Sequence, residues 1–271
     1  MKRMIGLEWA KISSYGFFRV ILILTLSLFL LTVFVFSRID ISLPGFTWRN
    51  LFRFPDIWPS FAWVASWFNL LLAILVITIA GNEFTGRTLR QQIMTGLSRE
   101  EWLAGKGILI IGLALFGVVM VSIAGFVFGF IYTRELSLGT IFSNMDILLV
   151  YMVQAIGYMV LGMLFITVLR SNTLAIILYL LYFIMIEPII RGLCPVEVRP
   201  WFPVKIISHL TPFPEVLKVT SGEALDNSNM TFENIGLMPR QLEDSTTTIM
   251  ALVYILVFAI LTYLAVKKKD L

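Results

Sequence analysis

Residues 70–77 read Leu70-Leu71-Leu72-Ala73-Ile74-Leu75-Val76-Ile77, eight apolar side chains in succession. A membrane-spanning strand would alternate apolar and polar residues over segments of roughly 10, and this run does not alternate. It sits inside Phe61–Gly81. As a helix, a stretch of about 20 mainly apolar residues crosses a bilayer core of roughly 30 Å. Five further stretches meet or approach that length: Phe17–Phe36, Gly107–Tyr132, Met145–Leu169, Thr173–Ile190 and Ile249–Val266. Their interiors are nearly free of charge, with Arg19, Asp146 and Glu187 close to the ends. The expectation is an all-α integral membrane protein of six transmembrane helices, forming one domain over residues 1–271.

The composition excludes the other broad classes. The chain has 271 residues, 58% hydrophobic and 14% charged, with a mean hydropathy of +0.89. An average soluble domain is about 45–50% apolar and about 25% charged. Disordered chains lack apolar and aromatic residues. A single cysteine, Cys194, has no intrachain partner for a disulfide scaffold.

Lysine and arginine placement sets the expected orientation, because cytoplasmic flanks retain positive charge. With the N-terminus inside, the inner pieces are 1–16, 82–106, 170–172 and 267–271. Together with Arg19 they hold 12 of the 21 basic residues; the outer pieces 37–60, 133–144 and 191–248 hold nine, over nearly twice the length. Both termini are therefore expected in the cytoplasm of a cell (inner) membrane, with Lys267-Lys268-Lys269 stopping the last span. The first span is too long for a signal-peptide core and no A-x-A site follows it, so it is expected to stay attached. The net charge of +4 needs no nucleic-acid partner, since topology accounts for it.

Outside the spans, residues 1–16 read as an amphipathic helix on the inner surface. Met1, Met4, Ile5, Trp9, Ile12 and Tyr15 fall within about 140° at helical spacing, with Lys2, Arg3 and Lys11 elsewhere on the circumference. An ordinary lead-in to the first span is the alternative. Trp48, Phe52, Phe54, Trp58, Phe61, Trp63 and Trp67 crowd one stretch. Aromatics favour the headgroup level, so a membrane boundary is expected there, ahead of a substrate-binding patch. Gly125 and Gly129 form a small-xxx-small pair, read first as intrachain packing and second as a subunit contact. From Pro195 to Leu217 the chain is apolar but broken by Pro200, Pro203, Pro212 and Pro214, which suggests short helices dipping into the outer leaflet. The stretch from Ser221 to Thr248 is polar and expected in solvent.

The segment from Asn82 to Glu101 is the most informative. Arg87–Thr95 is expected to form a short polar helix, with Gly96 closing it in a left-handed cap. Ser98 and Glu101 then make a capping box for the next helix, which continues through Trp102 and Lys106 into the third span. Leu89, Ile93 and Met94 offer a small apolar face ringed by Arg87, Arg90 and Gln91. Such a rigid knob suits a groove on a cytoplasmic partner; a helix lying on the membrane surface is the alternative.

Catalytic and cofactor chemistry is not visible. One histidine, His209, and one cysteine make no zinc set, and no H-E-x-x-H is present. Gly105-Lys106-Gly107 lacks the first glycine and the hydroxyl residue of a phosphate-binding loop. No enzyme activity, metal or cofactor is expected in this chain. Glu187 is the one intramembrane acid with a possible transport role; a local pair with Arg191 is the competing expectation, and Asp146 reads as a helix-start acid.

Six spans, both ends inside, a surface helix before the first span and a helical knob after the second resemble the export-type ABC transporter permease, the ABC-2 family. Glu83, Gly86-Arg87-Thr88-Leu89 and Gly96-Leu97-Ser98-Arg99-Glu100-Glu101, leading to Lys106, resemble that family's stretch after its second span. The resemblance implies that Arg87–Thr95 is a coupling helix docking on a separate ATP-binding-cassette ATPase subunit. Glu83, Arg87, Leu89, Arg90, Gln91, Ile93, Met94, Leu97, Ser98 and Arg99 would then form the contact. It further implies that ATP and Mg are held by that partner, that a second permease copy or paralogue completes the transporter, and that 191–248 forms an outer gate with re-entrant helices. The implied activity is alternating-access transport of a hydrophobic or amphipathic substrate, such as a lipid, peptide or drug. The rival readings are an ion-coupled secondary transporter or channel, for which Asn69 and Gln154 are the main mid-span amides, and a non-transporting scaffold.

Overall fold

In hydrocarbon, backbone N–H and C=O groups find no water, so an apolar segment must satisfy its own backbone, and a helix does so. The computed structural model describes residues 15–39, 42–43, 46–86, 88–94, 96, 98–134, 137–211 and 244–268, without the side chains of 42, 43, 46–48, 89, 90, 92 and 244. The expected surface helix before Tyr15 and most of the polar stretch from Ser221 to Thr248 lie outside them.

The helices are α1 Gly16–Arg38, α2 Ile57–Ser66, α3 Asn69–Thr85, α4 Thr88–Met94, α5 Arg99–Tyr132, α6 Leu138–Phe142 and α7 Ile147–Leu169. They continue as α8 Asn172–Leu193, α9 Pro203–His209 and α10 Asp244–Lys268. A two-residue ladder, Ser42–Leu43 against Phe46–Thr47, is the one strand pairing among the described residues. Five helices are long and apolar enough to cross a membrane, and α2 with α3 makes a sixth if that bent pair is one span. The protein is membrane-embedded: α1 and α10 turn Ile23, Leu31, Leu256 and Ile260 outward, an apolar surface that water would penalise.

α7 is the hub. It packs against α2, α3, α5, α8 and α10, and small residues let its neighbours come close. A Cβ on Gly162 would lie 3.2 Å from Ile77 of α3, and one on Gly157 3.3 Å from Ile255 of α10. The connection from α7 to α8 is as short as the sequence implied, with Arg170 in the left-handed region at φ 55° ending the helix.

Two features differ from expectation. The second span is broken at Trp67-Phe68, where α2 and α3 meet at 42°. Trp67 and Phe68 donate to Val64 and Ala65, i to i−3 bonds that tighten the turn. The fifth span contains a π turn over Tyr182–Ile186. Pro188 has no N–H to give the carbonyl of Ile184 and crowds it, which disrupts the α ladder at this point. Part of the aromatic run packs inside the protein, whereas Trp67 is exposed. Phe52, Phe54, Trp58 and Phe61 form a core between α1, α2 and α5, and the Trp58 Nε1–H donates to the Ile141 carbonyl at 2.7 Å. Gly125 and Gly129 are the reason these rings fit: a Cβ on Gly125 would lie 2.6 Å from Trp58. Their close approach is intrachain.

Candidate functional site

The connector from α3 to α5 sits at the end of the bundle where α1 begins and α10 ends. α4 covers Thr88–Met94. Gly96 follows with φ 103°, a conformation that favours glycine, and its N–H donates to the Ile93 carbonyl at 3.1 Å. The Ser98 side chain then accepts from the Glu101 N–H at 3.1 Å, and Glu101 Oε2 accepts from the Ser98 N–H at 2.8 Å. This reciprocal pair satisfies two orphan N–H groups of a helix start. From it α5 runs unbroken for 34 residues, about 50 Å at 1.5 Å per residue. The connector thus holds a short helix, Gly96 in a left-handed conformation, and a capped continuous rod.

Below the connector lies a buried ion pair. Glu83, in the last turn of α3, accepts from Lys106 Nζ of α5 at 2.8 Å, and the two side chains are 4% and 1% exposed. The second carboxylate oxygen accepts from the Trp102 Nε1–H, one turn earlier on α5. The Lys106 ammonium also lies 5.8 Å from the centre of the Trp102 ring. Replacing such a pair with apolar residues is often neutral or stabilising, whereas removing one partner costs about 3–5 kcal/mol. Its physical effect is to fix one register between α3 and α5.

Two more ties reach the connector end. Arg99 Nη1 donates to the carbonyls of Val266 and Lys267 at 3.1 and 2.7 Å, closing the C-terminal end of α10. The Tyr263 hydroxyl of α10 donates to Glu100 Oε1 at 3.0 Å. Asn82, next to Glu83, accepts from Asn172 Nδ2 at the start of α8 at 2.6 Å and donates to the Tyr15 hydroxyl before α1 at 3.1 Å. The connector region is thus tied to α1, α3, α5, α8 and α10.

Of the residues expected to meet a partner, Gln91 and Met94 are exposed, Met94 at 73%, while Ile93 is half-buried against the main core. Ser98 is exposed as the helix cap, and Arg99 is turned toward α10. Arg87 and Leu97, and the side chains of Leu89 and Arg90, lie outside the described residues. Glu83 faces the interior. Sequence reasoning missed Trp102 and Lys106 as its partners. The available signal was their i, i+4 spacing on a helix entering an apolar span, where a lysine must find an acid.

Glu187, in the fifth span, is engaged by a segment further along the chain. Its oxygens accept the backbone N–H groups of Val204 and Lys205 at 3.0 and 2.8 Å, at the start of α9. Asp146 stands at the N-cap of α7 without a side-chain capping bond. Among the described residues no three His, Cys, Asp or Glu side chains converge as a metal set.

The family described as Protein of unknown function (DUF2705) matches residues 52–271. The chain belongs to that family. A comparison with curated proteins finds no match.

Proposed function

We propose that this member of the DUF2705 family is the transmembrane subunit of an ATP-driven transporter, with α4 as the element that receives motion from a separate ATP-binding-cassette subunit. The observation that carries this reading is the connector's mechanical form. A short helix with an exposed methionine stands at the bundle end, stopped by Gly96 and joined through the Ser98–Glu101 box to a 34-residue helix. A load on α4 is delivered to α5 through a stiff joint, and the Glu83–Lys106–Trp102 cluster passes it to α3. A floppy tether would dissipate it.

In this reading the connector end faces the cytoplasm, in keeping with the lysine and arginine bias. A second permease copy or paralogue and two ATPase subunits complete the assembly, and ATP and Mg are held by the ATPases. The apolar spans, with few polar side chains, favour a lipid, hydrophobic peptide or drug as cargo. The short helices Arg199–Trp201 and Pro203–His209 form part of the gate at the opposite end.

An ion-coupled secondary transporter would need a titratable group within the spans that is available to its ion. The Glu187 carboxylate is already engaged by two backbone N–H groups, which speaks against that role.

Isolation from native membranes is the direct test. The proposal expects an ATP-binding-cassette subunit to co-purify, and its consistent absence would overturn it. Inserting Gly-Gly at Gly96 is expected to abolish transport-coupled ATP hydrolysis while membrane insertion continues. Unchanged coupled hydrolysis in that variant removes α4 from the mechanism.

A further inference from the structure

α9 is seven residues long, too short to cross a bilayer, yet Val204, Ile206 and Ile207 are at most 6% exposed. A helix buried in apolar surroundings must still satisfy N–H groups at its start and carbonyls at its end. Phe202 stands at its N-cap and offers no side-chain hydrogen bond, and proline at the first position removes one donor. The remaining need is met from outside the segment, by one polar side chain at each end.

At the N-terminal end, Glu187 of α8 accepts from Val204 and Lys205 at 3.0 and 2.8 Å. At the C-terminal end, Gln154 of α7 donates through Nε2 to the carbonyls of Ile207 and Ser208, both at 3.1 Å. The same amide's Oε1 accepts from the Thr211 hydroxyl at 3.0 Å. Glu187 is 1% exposed and Gln154 is 0% exposed. Between the two, the helix rests on Gly157, where a Cβ would lie 3.1 Å from Ile207. The Tyr254 hydroxyl of α10 holds the preceding turn through the Trp201 carbonyl at 2.7 Å.

We infer that α9 is a seated plug held by two latches, Glu187 at its start and Gln154 at its end, and that releasing either latch unseats it and admits water to the groove over Gly157. Neither amide nor carboxylate is replaceable by packing alone. Loss of Glu187 takes the acceptor from the Val204 and Lys205 N–H groups; loss of Gln154 takes the donor from the Ser208 carbonyl and leaves the Ile207 carbonyl only the Leu210 N–H at 3.4 Å. The helix recovers hydrogen bonds by moving into water. The π turn over Tyr182–Ile186 precedes Glu187 directly, and through it the Glu187 N–H donates to the Tyr182 carbonyl. An α register there would direct the carboxylate to a different face of α8, so the bulge is part of the latch. This inference does not rest on the ATP-driven reading, since it concerns the seating of α9 without nucleotide.

The test is labelling by a water-soluble maleimide of the full chain in membranes, with Cys194→Ser as background and Ile206→Cys as the probe. Ile206 is 1% exposed, so labelling of the probe is expected to be slow. Glu187→Ala and Gln154→Leu are each expected to accelerate it at least tenfold. Glu187→Gln, which keeps one acceptor oxygen, should fall between them and the parent. Gly157→Leu leaves both latches in place but fills the seat, and is also expected to accelerate labelling. A second probe, Ala73→Cys in α3, reports the bundle and should stay slow throughout. Unchanged labelling at Ile206→Cys in both latch variants overturns the inference. So does a parallel rise at Ala73→Cys in every variant, because the effect would then be general unfolding.

Discussion

Among the described residues each end of the bundle buries one glutamate, and the two are satisfied in different ways. At the connector end Glu83 meets a full positive charge on Lys106 and an indole N–H. At the other end Glu187 meets the N–H groups at the start of a helix, where the charge is partial and comes from the backbone. The first arrangement joins two long helices into one unit. The second holds a short helix that is otherwise a guest between longer ones. A full ion pair resists separation because parting its members leaves a buried charge, whereas a carboxylate leaving a helix start exposes groups that water can receive. The connector end is joined by a charge pair, and the opposite end by bonds that water can replace.

The sharpest way to break this comparison is to remove one charge. Lys106→Met leaves the Glu83 carboxylate buried without its counter-charge and is expected to destabilise the protein by about 3–5 kcal/mol, seen as a large fall in Tm in detergent. Adding Glu83→Leu to it should recover most of that loss, and a double variant as unstable as the single one would contradict the pairing. A smaller effect is expected in the aromatic core. Gly125→Leu drives a side chain into Trp58, which its Ile141 hydrogen bond holds in place, and overpacking of this kind costs about 1–3 kcal/mol. An unchanged Tm there would show that the rings can yield. The smallest expected change is at the cap. Ser98→Ala should cost about 1 kcal/mol, read as faster amide exchange at Glu101 with little change in the global transition. Equal protection in the two proteins would mean that the box adds no rigidity to the joint.

Much of the fold was legible because its causes are local. Span length follows from bilayer thickness, so the apolar stretches fall close to the helices, although α5 begins at Arg99 and α10 at Asp244, well before their apolar cores. Gly96 and the Ser98–Glu101 pair were readable because caps act over three residues. The pairing of Glu83 with Lys106 was not, since it spans 23 positions and depends on how α3 and α5 pack. Glu187 illustrates the same limit: Arg191 is four residues away in sequence, but the N–H groups that engage the acid come from Val204 and Lys205. The packing of Phe52, Phe54, Trp58 and Phe61 was hidden for another reason. An interface and a protein core both favour Trp and Phe, and only the glycines on α5, read together with Trp58, would have told them apart.

Arg99 has a consequence for how the protein is made. Its guanidinium bonds to the Val266 and Lys267 carbonyls, which lie 167 and 168 residues further along the chain. At translation rates of about 5–20 residues per second, those acceptors come into being roughly 10–30 s after Arg99 itself. During that interval the start of α5 has its own capping box but not its anchor on α10. Biosynthesis thus passes through a period in which the joint is shaped but not yet fastened, and the arrival of α10 is the step that fastens it.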